Sequence, residues 1–234
     1  MTTTAEGEQL RRIPLSRDTI VAGAIALADA EGIRAITMRK LAAHLGYEVM
    51  SLYNHVANKG EVLTLMVDGV AGEVETPADD IEPLTAVRHI AQSLRTALVR
   101  HPWSPDLWQR HLPGPERSRI MEDLLRLLGQ SDLTPAMAHH GFHAVTNHVI
   151  GYTIQELGLA EVMAELELDA VDYRDSLDPD EFPHMIAHIN QHLDGDTAPS
   201  FDLVLDLILE GIARLSAERR AAGDDPADPA GACC

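Results

Sequence analysis

Apolar residues recur at intervals of three and four along most of the chain, which is the spacing of amphipathic helices. Ser16 is suited to cap a first helix that ends near Gly32. The inner stripe of this helix consists of Ile20, Ala24, Leu27 and Ala28. Alternating apolar stretches and Asn-Gly turns, which indicate strands and hairpins, are scarce. The pattern therefore predicts an all-α fold.

Two short helices and a longer one are predicted next. Thr37 is suited to begin a short helix that Gly46 ends, and another short helix is predicted over about residues 48–54. Asn58, followed by Glu61, resembles a capping box and predicts the start of a longer helix. The residues predicted to point inward are Leu41, Leu52, Val56, Leu63, Met66, Val67 and Val70.

Proline marks the organisation of the second part of the chain. Residues 75–83 are acidic and contain proline, which is typical of a connection, and Pro83 is suited to the first turn of a helix that runs to about Arg100. Residues 101–115 contain four prolines and two tryptophans, so we predict a loop with one short turn. Further helices are predicted to begin at Pro115, Pro135 and Pro179.

The last predicted helix, over about residues 200–220, has an unusually wide apolar face. The residues that make up this face include Phe201, Leu203, Val204, Leu205, Leu207, Ile208, Ile212 and Leu215. One neighbouring helix does not need so wide a face, which favours burial in an oligomer interface. A deep core within one chain explains the same pattern nearly as well.

The net charge of −19 is unevenly distributed. Residues 1–60 hold seven basic and six acidic side chains, a net charge of +1, so the remainder carries −20. A polyanion can therefore approach the N-terminal part and is repelled elsewhere. Solubility alone explains the same distribution, so charge does not decide the function.

Several classes of protein are not expected. The chain has no run of eighteen apolar residues, and no apolar segment follows the positive charges near the N-terminus, so neither a membrane span nor secretion is predicted. The two cysteines, Cys233 and Cys234, are adjacent and suit neither a disulfide framework nor a zinc site. We expect a cytoplasmic protein.

Residues 37–59, TMRKLAAHLGYEVMSLYNHVANK, contain two short helices joined by a turn with glycine. Such spacing lets a second helix enter a DNA major groove while the first supports it. The residues predicted to face outward are Arg39, Tyr47, Val49, Met50, Ser51, Tyr53, Asn54, His55 and Lys59. Many helical proteins show the same periodicity, so the spacing alone does not establish DNA binding.

The order of residues is more specific. Ala-Glu-Gly-Ile at the end of the first helix is followed by Thr-Met-Arg-Lys-Leu-Ala, Leu-Gly-Tyr, Ser-Leu-Tyr-Asn-His-Val and Asn-Lys. From about Leu15 to Val70 the chain closely resembles the tetracycline-repressor (TetR) family. The HPW segment (101–103) and GYTIQEL (151–157) fit the tetracycline-repressor-like C-terminal branch of that family.

The resemblance implies a division of the chain. We expect a disordered arm over residues 1–12 and a helix-turn-helix DNA-binding domain over 13–74. A ligand-binding and dimerisation domain is expected over 83–221, and a disordered tail over 222–234. The implied function is a repressor that binds a palindromic operator in double-stranded DNA as a homodimer, pairs through its last helices, and is released by a small-molecule effector.

The resemblance also implies roles for residues of the DNA-binding domain. Thr37 caps the second helix near a phosphate, and Arg39 lies where it can bind guanine O6 and N7. Val49, Met50 and Ser51 lie at the tip of the reading helix, and a core position for Val49 remains open. The remaining contacts, several of which hold the DNA backbone, are assigned to Tyr47, Tyr53, Asn54, His55 and Lys59.

Candidate effector contacts combine aromatic and apolar side chains with a few polar ones, as is typical of ligand pockets. They are Trp103, Trp108, Met121, Leu124, Phe142, His143 and Asn147. For Trp103, Trp108 and Phe142 a core position is at least as good an explanation.

The resemblance does not extend to a magnesium–tetracycline site. In the tetracycline-binding members a histidine after the first C-terminal helix binds the magnesium of the drug, and an ungapped comparison places Trp108 there. His101 and His111 are close but out of register, and Leu124 replaces a pocket glutamine. We expect a bulkier, largely apolar effector such as a natural product.

Histidines supply the alternative to this function. His184, His188 and His192 share one helix face, and His139 and His143 form a second pair, so a zinc- or nickel-binding helical protein without operator binding stays a hypothesis. Solvated or interface histidines explain the spacing better. Nucleotide loops, nucleophile elbows and paired Glu-x-x-His motifs are absent, so neither an enzyme nor a cofactor is expected.

Overall fold

The structure, a computed structural model, describes residues 14–78, 80–165, 169–194 and 200–222, without the side chains of 160–165. Within these ranges the chain is all-α, as predicted, with one 3-10 turn at Ile33–Ala35 and no strand. The helices are α1 Arg17–Glu31, α2 Met38–Leu45, α3 Val49–Tyr53, α4 Lys59–Ala71, α5 Pro83–Arg100, α6 Ser104–Trp108, α7 Pro115–Gln130, α8 Pro135–Glu165, α9 Ala170–Asp175, α10 Pro183–Leu193 and α11 Phe201–Ala222. Over these residues, none of the helices combines the length and the apolar character that a membrane crossing requires. The arm predicted over residues 1–12 lies outside the described ranges. The tail predicted over 222–234 also lies outside them, except for Ala222, which is the last residue of α11.

Side-chain caps begin the first helices where the sequence predicts them. The Ser16 hydroxyl accepts a hydrogen bond from the Thr19 amide at 3.2 Å, and the Ser16 amide donates to the Thr19 hydroxyl at 2.8 Å. Thr37 caps α2 and Asn58 caps α4 in the same way. Each cap gives an otherwise unpaired helix N–H a partner, which stabilises a helix by about 1 kcal/mol.

The four N-terminal helices share one apolar core. It contains the predicted stripe of α1 together with Ile36, Leu41, Leu52, Val56, Val62, Met66, Val67 and Val70. The helices of this unit are short, so packing against this common core rather than intrinsic propensity holds them in place.

A second core lies between α5, α7, α8 and α11. Its largest fully buried side chains are Ile90, Leu98, Leu124, Leu128 and Leu205. α8 packs against all three of the other helices, so this long helix is the centre of the C-terminal part.

Buried polar contacts join the two cores where α5 ends. The two ring nitrogens of His101 lie 2.8 Å from a carboxylate oxygen of Asp29 on α1 and 3.0 Å from one of Glu73 after α4. Trp103 donates its indole N–H to Asp29 at 2.7 Å, and its ring is buried in the N-terminal core. The chain leaving α5 is therefore fixed to α1.

The predicted helix start at Pro179 is wrong. The backbone amide of Asp180 donates to the Asp178 carboxylate at 2.8 Å, and the amide of Phe182 donates to the Asp178 carbonyl at 2.8 Å. These bonds close a turn, and α10 begins only at Pro183. An aspartate before proline stabilises turns as readily as helix starts, which explains the error.

The apolar face of α11 is divided. Phe201, Leu205 and Leu209 are buried in the C-terminal core, and Ile212 on the same helix is buried as well. Leu203 and Leu207, by contrast, are 60% and 62% exposed. Packing within one chain therefore buries the apolar residues on only one side of this helix.

Candidate functional site

α3 and the start of α2 form an exposed polar surface on the N-terminal core. Leu52 is the one fully buried residue of α3, whereas Met50 and Tyr53 are 73% and 42% exposed. Gly46, at φ 74°, adopts the left-handed conformation that turns the chain between the two helices. A short helix anchored by one leucine and presenting its other side to solvent matches the geometry of a helix-turn-helix reading unit.

Most residues assigned to DNA contact lie on this surface. Thr37, Arg39, Met50, Tyr53, Asn54 and Lys59 are exposed, and Ser51 and His55 are half-buried. Within the described part of the chain, Arg39 and Lys59 take part in no ion pair, whereas Lys40 pairs with Glu31 and Arg17 pairs with Glu61. The two unpaired cations are therefore available to phosphates or base edges.

Val49 and Tyr47, which were predicted to face outward, are exposed only in part. Both are half-buried and pack against the N-terminal core. Val49 lies three residues before Leu52, so helical geometry brings both side chains to nearly the same side of α3. The tip of the reading helix thus exposes Met50 fully and Val49 only in part.

A cavity of about 380 Å³ lies between α5, the segment after α6, α7 and α8. Its apolar wall consists of Leu94, Ile120, Met121, Leu124, Phe142 and Ile150. Its polar wall includes Gln109, His111, Arg117, Thr146 and Asn147, and the Trp108 ring lies beside them. Its size and its mixture of groups are those of a small-molecule site.

The structure brings together five of the seven candidate effector contacts in this cavity: Trp108, Met121, Leu124, Phe142 and Asn147. Trp103 lies in the N-terminal core instead. His143 is exposed on α8, where its ring meets that of His139 at 4.7 Å between centroids. Residue 143 follows inward-facing Phe142 by one position, and a helix turns adjacent residues about 100° apart, which explains its outward direction.

Four polar wall residues were not among the predicted contacts: Gln109, His111, Arg117 and Thr146. Arg117 belongs to the apolar stripe of α7, three residues before Ile120 and seven before Leu124. A basic residue on the inner stripe of a helix was a signal that could have identified it. His111 lies in an irregular segment, where no periodicity shows the direction of a side chain.

His111 and Arg117 both contact α4 of the N-terminal unit. The His111 ring lies 2.9 Å from the Thr64 hydroxyl, and the Arg117 backbone amide donates to the buried Asp68 carboxylate at 3.0 Å. Thr64 and Asp68 are one helical turn apart and therefore share a face of α4. The cavity wall is thus directly connected to the helix that follows the reading unit.

The histidine clusters do not assemble a metal site in the described part of the chain, where no three metal-ligating side chains converge. His188 and His192 come within 3.2 Å through their Nε2 atoms, and His184 does not join them. The zinc- or nickel-binding alternative therefore rests on a pair rather than on a triad.

Comparisons with known proteins agree with this geometry. A family profile described as tetracyclin repressor-like, C-terminal domain matches residues 77–215. The HTH-type transcriptional repressor DrrR1 of Streptomyces coeruleorubidus is 31% identical to the chain over 88% of the chain and 80% of the relative. The tetracycline repressor protein class G of Vibrio anguillarum is 26% identical over 87% and 96%.

Solved structures give the same result. The crystal structure of apo ActR from Streptomyces coelicolor superposes with a TM-score of 0.74 at 30% identity, covering 88% of this chain and 98% of ActR. ActR has also been solved in complex with (S)-DNPA, at a TM-score of 0.72 and 29% identity over 87% of this chain and all of ActR. A further structure of ActR holds actinorhodin.

Proposed function

The chain belongs to the TetR family of transcriptional regulators, and we propose that it is a repressor that binds a palindromic operator and releases it when a small molecule binds. The observation that supports the proposal most directly is the exposed face of α2 and α3, which packs on the N-terminal core in the geometry of a helix-turn-helix. The function needs no catalytic group, and we propose a regulator that is not an enzyme.

We assign operator contact to the residues of that face. Arg39 offers a bidentate donor for guanine, and the exposed Met50 offers an apolar contact for a thymine methyl. We assign Thr37, Tyr53, His55 and Lys59 to contacts with the DNA backbone that set the register. Ser51 and Asn54 are assigned to the same face. Tyr47 and Val49 support the face chiefly from its buried side.

A homodimer is the proposed DNA-binding form. Leu203 and Leu207 on α11 are mostly exposed in one chain, and Val204 and Leu215 on the same helix are exposed as well. Exposed apolar side chains along one helix mark an interaction surface, and a two-fold pair of such surfaces presents two reading units to a palindrome. We therefore propose that α11, next to α8, forms the dimer interface.

The proposed effector site is the cavity between α5, α7 and α8. ActR, whose fold this chain shares, binds actinorhodin and (S)-DNPA according to its solved complexes. The cavity of this chain is mostly apolar, and Trp108 and Leu124 occupy the positions that argue against magnesium–tetracycline. A largely apolar organic molecule is the proposed effector.

The proposed division of the chain follows the two cores: a DNA-binding domain over residues 13–74 and an effector and dimerisation domain over 83–221. The N-terminal core includes α1 to α4, and the C-terminal core includes α5, α7, α8 and α11.

Selection of bound sequences from random double-stranded DNA tests the function. We expect the full chain to enrich a palindrome whose half-sites lie about one helical turn or more apart. Affinity for the enriched site should fall steeply as salt rises, because phosphate contacts release counterions. Equal retention of random and enriched DNA at all salt concentrations would contradict the proposal.

A further inference from the structure

Arg117 is an unusual component of the effector cavity because its side chain is buried. The residue is 6% exposed, although it lines a cavity whose wall is otherwise mostly apolar. Charged side chains are almost never buried to this extent unless they are paired. The buried guanidinium of Arg117 therefore needs hydrogen-bond acceptors or an anion to stabilise it.

The partners of the guanidinium are neutral. Its Nη1 donates to the His111 carbonyl at 2.8 Å and its Nη2 to the Trp108 carbonyl at 2.6 Å. Among the described residues no acceptor lies within hydrogen-bond distance of its Nε, and no carboxylate lies within ion-pair distance. The Asp68 carboxylate nearby is occupied by the backbone amides of Glu116 and Arg117. The positive charge is thus held in place but not neutralised by direct contact.

Electrostatics around this charge favour an anion. Burial lowers the pKa of Arg117, because removal from water penalises the charged form, and Asp68 opposes that effect only at a distance. Arg117 also lies in the first turn of α7, where the helix dipole is positive. An anionic oxygen that enters the cavity would meet an attractive potential at this guanidinium.

The rest of the wall defines the shape of the ligand. The Trp108 ring lies 4.5 Å from the Arg117 guanidinium carbon, in a cation–π contact. Phe142 and Ile120 add apolar surface to the same cavity. A flat ring system can pack on such surfaces while a substituent at its edge reaches the guanidinium.

We propose that the cavity selects a flat, largely apolar ligand with one anionic oxygen, a carboxylate or an ionised phenol or enol, and that this oxygen pairs with Arg117. The inference rests on the proposed function only in taking this cavity as the effector site. It adds a charge requirement to the apolar effector expected from the sequence.

Calorimetry of the full chain with two probes of nearly equal shape tests the charge requirement. The probes are 2-naphthoate and its neutral amide, 2-naphthamide, at pH 7.5. We expect the carboxylate to bind about tenfold more tightly than the amide, because hydrogen bonds to a charged acceptor are stronger. Equal affinities would overturn the proposal, as would the absence of binding by either probe up to about 1 mM.

Substitutions assign the preference to Arg117. Arg117→Gln should reduce the preference for the carboxylate to about twofold or less, and Arg117→Lys, which keeps the charge without the planar fork, should retain part of it. Arg119→Gln on the exposed side of α7 is the matched control and should leave the preference unchanged. Retention of the full preference in a folded Arg117→Gln variant would contradict the assignment.

The wild-type comparison needs no variant, so it remains decisive if the Arg117→Gln protein fails to fold. Selection of random DNA by the same preparation separates this inference from the proposed function. A protein that enriches a palindrome but binds both probes equally retains its function and loses only the anionic ligand. A protein that prefers the carboxylate through Arg117 but enriches no DNA sequence loses the repressor function instead.

Discussion

Arg39 and Lys59 are two exposed cations to which we assign different tasks in DNA binding. Arg39 lies in the first turn of α2 beside the reading helix, and Lys59 is the first residue of α4. A bidentate contact to guanine distinguishes bases, whereas a contact to phosphate does not. The two side chains should therefore be separable by experiment.

We expect Arg39→Ala to relax base preference at one position of each half-site, at a cost of about 1–3 kcal/mol on the preferred operator. Competition between the selected operator and single-base variants measures this cost. Lys59→Ala serves as the contrast and should weaken binding to all sequences alike. The slope of the logarithm of affinity against the logarithm of salt concentration should become smaller by about one, because one phosphate contact is lost. An Arg39→Ala protein that discriminates bases as the wild type does would assign this residue to the backbone.

At the scale of elements, the contact between α4 and α7 is one of the connections between the two cores. Both oxygens of the buried Asp68 carboxylate accept backbone amides at the start of α7. Gly114 just before α7 is required by this arrangement, because a Cβ at that position would lie 2.4 Å from the Asp68 carboxyl carbon. Close approach, rather than an unusual backbone angle, is the reason for this glycine.

Gly114→Ala should therefore destabilise the protein by about 1–3 kcal/mol, because Asp68 must move and give up its hydrogen bonds to α7. Urea unfolding measures the change. Gly129→Ala near the other end of α7 is the control, since a Cβ there meets no atom within 4 Å. The control should be neutral or stabilising by up to about 1 kcal/mol. Equal effects of the two substitutions would show that the steric contact with Asp68 is unimportant.

The helix starts that the sequence predicted correctly are those that depend on residues close by in the chain. Ser16, Thr37 and Asn58 cap helices through bonds to residues three positions ahead, so short-range patterns predicted them. The cavity is different, because residues from four helices and a loop define it. Arg117 was detectable only as a cation on an apolar stripe. For Trp103 the sequence left a pocket position and a core position open, because periodicity gives no direction to a tryptophan in a proline-rich segment, and the residue lies in the N-terminal core.

At the scale of the whole molecule, the proposed dimer interface depends on α11. Leu207 is 62% exposed and lies on the side of α11 that the chain itself leaves uncovered. Its exposure means that the folding of one protomer depends little on it, whereas a dimer through this surface would bury it. A substitution of Leu207 can therefore weaken dimerisation without changing the fold of the single chain.

Leu207→Glu should weaken dimerisation by at least about tenfold, because a charge would be buried without a partner. Sedimentation equilibrium measures the dissociation constant, and circular dichroism should show an unchanged helix content. Leu112→Glu is the control, since Leu112 is 85% exposed in the segment before α7, away from α11. Equal dimerisation of the Leu207→Glu and wild-type chains would place the interface elsewhere.

The two tryptophans of the chain lie at two sites that effector binding should affect, the junction of the two cores and the wall of the cavity. Trp103 is buried beside Asp29 at the junction of the two cores, and Trp108 lies against Arg117 in the cavity wall. Intrinsic fluorescence thus carries two separable signals: in a Trp103→Phe protein the emission of Trp108 reports occupancy of the cavity. In a Trp108→Phe protein the emission of Trp103 reports movement of the reading unit, so the delay between the two signals measures how quickly the protein responds.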